Sequence, residues 1–216
     1  MNLKIFTTIY FTISIIEIIF GITHYQTGVF LTKPLIMISI MVFYFLQTQN
    51  QRNFQDILML IAFFFSMLGD TFLMFQGEKY FMFGLGSFLI THLFYIFVFR
   101  SNGLKTSMLA RISFLLFSGI MLSVLKNYIN NSLLIPIVIY MIIISVMAIS
   151  ASERKSNAES YQLVLIGAIL FLLSDSLIAI DKFVLSVPFQ TLFIMGTYIL
   201  AQYFIAVGFL KRNITT

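Results

Sequence analysis

FFFSMLGDTFLMF, residues 63–75, is the stretch whose reading decides this fold. It holds one acid, Asp70, in the middle of a run apolar enough to cross a membrane. A second stretch, AILFLLSDSLIAI at 168–180, repeats the arrangement around Asp175. Each aspartate directly follows a small residue, Gly69 or Ser174. An ionisable group at bilayer depth costs about 3 kcal/mol or more, so it must face a partner, a wet cavity or a substrate. Two acids in like settings predict one site containing two carboxyls.

The rest of the chain is of the same character. Its 216 residues are 60% hydrophobic and only 10% charged, with mean hydropathy +1.00. A water-soluble domain carries about 25% charged residues. Apolar runs bounded by polar or turn residues predict eight membrane-spanning helices, near 3–23, 33–47, 55–75, 80–99, 108–125, 133–151, 161–180 and 188–210. The loops between them are too short for a soluble domain. The expectation is therefore an all-α integral membrane protein with one transmembrane helical domain over residues 1–216. The first run is too long for a typical signal-peptide core and lacks a small-x-small cleavage site, so it reads as a retained helix.

Eight spans put both termini on one side. Lys4, Arg52, Arg100, Lys105, Arg111, Arg154, Lys155, Lys211 and Arg212 share that side, against Lys33, Lys79, Lys126 and Lys182 opposite. This nine-to-four bias places both termini in the cytoplasm. The isoelectric point near 9.5 reflects these loop charges. It does not point to nucleic acid, because no basic stripe with interleaved aromatics lies outside the spans. With no cysteine, disulfides, thiolate metal sites and a cysteine nucleophile are excluded, and two histidines make a poor metal centre. No metal or cofactor is expected. Composition rich in Ile, Asn, Lys and Phe fits a bacterial cytoplasmic (inner) membrane.

Asp70 is six residues before Gln76, and Asp175 is six before Asp181. At the helical rise each carboxyl lies roughly 9 Å below the outer edge. Spans three and seven are four apart, which fits a parallel duplication of four-helix halves. Other polar groups fall at comparable depth: Glu17 on span one, Tyr140 on span six, and Tyr198 with Gln202, one turn apart on span eight. On span four, Gly84, Phe88, His92 and Tyr95 draw one stripe. Ser66 and Ser174 are hydroxyls close to the two acids. Lys33, before Pro34, opens span two and is placed to snorkel or to meet a headgroup phosphate. Asp56, Asp181 and Lys182 read as solvated helix ends.

These residues leave several functions open. Two carboxyls can supply an acid and a base together. Paired intramembrane acids with a histidine also build proton relays, so a proton-coupled transporter or channel is the alternative. Acids bonded to backbone or hydroxyls would only lock the bundle. No G-x-S-x-G turn, H-E-x-x-H, P-loop or dinucleotide fingerprint is present.

The chain resembles the YhhN family of membrane proteins, whose animal members include lysoplasmalogenases. The matching segments are Lys33-Pro34-Leu35, Gly69-Asp70, the Gly84, Phe88, His92, Tyr95 stripe, Gly167-Ala168 through Phe171, Ser174-Asp175, Ile178 and Ala179, and Tyr198 with Gln202. Glu17 has no assignable counterpart. The resemblance implies a lysophospholipid substrate whose vinyl ether is hydrolysed to a fatty aldehyde and a glycerophospho-headgroup. It also implies that Asp70 and Asp175 are the catalytic pair. The sequence does not distinguish which of the two is the acid; Asp70 as acid with Asp175 as base is the working assignment.

Overall fold

The computed structural model describes residues 2–213 and contains, among them, eight α-helices. They are α1 (Leu3–Ile22), α2 (Gln26–Thr48), α3 (Phe54–Leu73), α4 (Glu78–Arg100), α5 (Met108–Leu125), α6 (Asn131–Glu153), α7 (Ala158–Phe183) and α8 (Gln190–Leu210). Each is long and apolar enough to cross a membrane. The protein is an all-helical, multi-pass membrane protein.

The second helix differs from its expected start. It begins at Gln26, not at residue 33, because the chain turns in only three residues. His24 takes a left-handed conformation (φ 56°), its N–H bonds the Gly21 carbonyl (3.3 Å), and the Tyr25 N–H bonds the Phe20 carbonyl (2.9 Å). This is a Schellman closure, in which the carbonyls ending a helix find donors just beyond it. The accompanying apolar contact is Tyr25 edge-on to Phe20, with centroids 5.2 Å apart. Pro34 consequently lies inside α2 and does not open it. Lys33 is in the third turn of that helix, deeper than a snorkelling residue at its mouth would be.

The described chain divides into two compact units, one up to Val98 and one from Phe99 onward. In the first, rings tie the helices together. Phe6 of α1 stacks on Phe43 of α2 (3.9 Å), Tyr44 meets Phe63 of α3 edge-on (5.5 Å), and Phe63 meets Tyr95 of α4 (6.3 Å). Asp56 is not a solvated helix end. It is 1% exposed, takes the Tyr44 hydroxyl at 2.7 Å, and closes a capping box with Asn53 at the start of α3. Burial is possible because the acid is supplied with donors from both directions.

In the second unit the α7–α8 seam is built from small residues. A Cβ added at Gly167 would fall 2.9 Å from the Ala201 carbonyl oxygen, and one at Gly208 would fall 3.0 Å from the Val164 N. Lipid gives helices no hydrophobic reason to associate, so close backbone approach must supply the contact energy. Ser160 adds a hydroxyl bond to the Gly208 carbonyl (2.7 Å). Asp181 is half-buried and accepts from the Val187 N–H (2.9 Å), organising the turn between α7 and α8.

Candidate active site

In the first unit, Asp70 lies on α3 one turn beyond Ser66 and is 3% exposed. The face it shares with Ser66 turns toward α4. The Ser66 hydroxyl bonds Thr91 (3.4 Å), and Thr91 also reaches the Ala62 carbonyl (3.2 Å). Just before the acid, Gly69 sits under the Phe88 ring, which would be 2.7 Å from an added Cβ. Gly84 approaches Leu73 and the Gly69 carbonyl in the same way. The glycine before Asp70 thus brings α4 against this turn of α3. His92 and Tyr95, on the same α4 stripe as Gly84 and Phe88, are both fully buried.

Glu17 is also in this unit, 2% exposed, and its Oε2 has no hydrogen-bond partner. Lys33 is half-buried on α2, the helix that packs against α1.

In the second unit, the Tyr140 hydroxyl of α6 donates to Oδ2 of Asp175 on α7. Tyr140 is 7% exposed and Asp175 half-buried. A phenol fixed by α6 therefore sets the orientation of the carboxyl. Ser174 points elsewhere: its hydroxyl donates to the Ile194 carbonyl of α8 (3.0 Å), which makes it a helix–helix bond. Tyr198 is buried with its ring edge-on to Phe171 (5.6 Å), and Gln202, one turn on, is fully buried. No group of three or more His, Cys, Asp or Glu among the described residues is arranged to hold a metal.

The YhhN family profile matches residues 28–209. The chain belongs to the YhhN family. Among curated relatives, the Bos taurus protein named lysoplasmalogenase TMEM86A is 32% identical over 155 residues, 67% of this chain and 61% of the relative. The Homo sapiens protein of that name is 31% identical over 151 residues, with the same shares. Homo sapiens lysoplasmalogenase TMEM86B is 29% identical over 149 residues, 69% of this chain and 62% of the relative. The chain thus spans about three fifths of the length of the curated relatives it matches. No solved structure matches it.

This YhhN protein has further buried charges that composition and spacing did not mark. Glu153, at the end of α6 and fully buried, accepts Nε (2.7 Å) and Nη2 (3.0 Å) of Arg111 and the Ser107 N–H (2.9 Å). Beside it, Arg154 is 2% exposed and donates to the Ser160 carbonyl and hydroxyl, both at 3.1 Å. Burial, and then the charge of Arg212, bring its guanidinium down to about 10, so it stays cationic at neutral pH. An Asn-x-x-Asp capping signature could have revealed Asp56. Nothing local announces Glu153, whose partner Arg111 is 42 residues away.

Proposed function

We propose that this protein hydrolyses the vinyl ether of lysoplasmalogens, releasing a fatty aldehyde and a glycerophospho-headgroup. The observation that carries the reading is its likeness, over two thirds of the chain, to proteins named lysoplasmalogenase. The fixed orientation of Asp175 by Tyr140 supports the chemistry.

In the proposed cycle Asp70, as the acid, protonates the vinyl carbon remote from oxygen. The electron pair of the double bond forms the new C–H bond and leaves an oxocarbenium ion. Asp175, as the carboxylate, stabilises that cation and takes a proton from the water that attacks it. The resulting hemiacetal collapses: Asp175 returns its proton to the glycerol oxygen as the C–O bond breaks, and the hemiacetal hydroxyl gives its proton to Asp70. One water is consumed and both acids are restored. Glycosidases use two carboxyls around a similar cation. A preorganised negative charge beside the developing cation is the main contribution expected from the protein.

The same reading holds both termini on the cytoplasmic side of a bacterial inner membrane, supported by the bias of lysine and arginine among the loops. Division of the chain after Val98, which leaves four helices to each unit apart from two residues of α4, supports the four-plus-four duplication.

The test is aldehyde release from a lysoplasmalogen by purified protein. Wild type should release aldehyde, and Asp70→Asn and Asp175→Asn should each lose it while eluting as folded protein. Undiminished release by both variants, or none from wild type, defeats the proposal.

A further inference from the structure

Glu17 is the unusual acid of this membrane protein. The buried residues of α1 are Phe6, Tyr10, Ser14 and Glu17, a single stripe. The stripe of α2 that includes Met37, Ile40 and Tyr44, all fully buried, runs back one turn to Lys33. Glu17 is five residues before the end of α1, and Lys33 is seven after the start of α2. With only Thr23, His24 and Tyr25 between the helices, the helical rise puts the two at similar depth, about 8 and 10 Å from the corner. The two helices pack on each other, yet Glu17 Oε2 is buried and receives no hydrogen bond. A buried acceptor without a donor is costly, the more so when charged. Glu17 lies before residue 28, where the family match begins.

We propose that Glu17 and Lys33 form a subsite for a zwitterionic headgroup, and that it selects phosphoethanolamine over phosphocholine. The inference rests on the lysophospholipid reading above. Lys33 donates to the phosphate, and Glu17 Oε2 accepts an N–H from the ammonium. An anion and a cation on facing interior stripes complement a headgroup that carries one charge of each sign. The choice between headgroups follows from the orphaned acceptor. A primary ammonium brings N–H donors that satisfy Oε2, whereas a trimethylammonium brings none and leaves it buried and unpaired. Sites built to hydrogen-bond an N–H reject the analogue lacking it far better than apolar pockets sort by size. A headgroup with phosphate but no cation would meet Lys33 alone and oppose Glu17.

The test compares aldehyde release from lysoplasmenylethanolamine and lysoplasmenylcholine for wild type, Glu17→Gln and Lys33→Met. Alongside it, thermal stabilisation by the uncleavable esters lysophosphatidylethanolamine and lysophosphatidylcholine reads binding alone. Wild type should favour ethanolamine in kcat/KM by about 10-fold or more, the worth of one charge-assisted hydrogen bond. Glu17→Gln should bring the ratio close to one, mainly through KM for the ethanolamine lipid, and Lys33→Met should weaken both lipids alike. A ratio near one in wild type, or an undiminished ratio in folded Glu17→Gln, overturns the inference. If Glu17→Gln does not fold, Glu17→Asp, with a displaced carboxylate, must shift the ratio or the inference fails. If wild type cleaves neither lipid, the hydrolase reading fails by itself. The esters then decide: stronger stabilisation by the ethanolamine ester that depends on Glu17 sustains the subsite, and equal stabilisation overturns it.

Discussion

Replacing Tyr140 by Phe removes one oxygen and leaves the ring in place. The residue is 7% exposed, so the ring's packing survives while the bond to Asp175 Oδ2 is lost. For the fold, the relevant scale is that of hydrogen bonds between membrane helices, about 0.6 kcal/mol on average and about 1.7 at most. Asp175 is half-buried, which keeps the cost toward the lower figure. For the reaction the same bond counts differently. If it holds the carboxylate where the oxocarbenium ion forms, its loss should approach that of a hydrogen bond to a charged group, about 1.5–3 kcal/mol. That corresponds to roughly a 10- to 100-fold drop in turnover. Tyr140→Phe should therefore melt within a few degrees of wild type and release aldehyde about 10- to 100-fold more slowly. In an Asp175→Asn background the same change should move the melting temperature little further, because the two side chains act as a unit. Wild-type turnover by folded Tyr140→Phe refutes the positioning role.

Two further predictions concern the scaffold. Gly167→Ala should lower the melting temperature, by about 1–3 kcal/mol of overpacking, since its Cβ would meet the backbone of Ala201 and Ile205 at 2.9 and 3.0 Å. Gly196→Ala, on the neighbouring helix with nothing within 4 Å of the new Cβ, should be neutral or stabilising and serves as its control. Glu153→Gln should destabilise by on the order of 2 kcal/mol, between the values for exposed and buried pairs, because Arg111 is 40% exposed while Glu153 is fully buried. Thermal melts in one detergent check both, and aldehyde release per folded molecule should be unchanged by Glu153→Gln.

Eight helices were legible because lipid demands about twenty apolar residues with every backbone group bonded internally. The start of α2 was not. HYQTG at 24–28 reads as a loop by composition, yet His24 in the left-handed region lets the next helix begin two residues later. A left-handed histidine leaves no mark in a hydropathy pattern. For the candidate site, the price of an acid in lipid marked Asp70 and Asp175, and depth marked Tyr140 before its bond to Asp175 was visible. Ser174 stands beside the acid in sequence, yet its hydroxyl serves the α8 backbone. Sequence adjacency does not fix which way a helical side chain points.

The cost of an intramembrane acid says that it has a reason, and its donors help to say which. Glu153 takes three donors, two of them from one guanidinium, and Asp56 takes a phenol and a backbone N–H. Each is satisfied by its own chain at the end of a helix, and each ties together segments that the fold must join. Glu17 is the contrasting case. It is buried as deeply as they are, and Oε2 still lacks a donor. A group kept in that state costs stability that packing alone would not retain, since an apolar residue of similar size would fill the stripe at less expense. A donor that arrives with the substrate accounts for it.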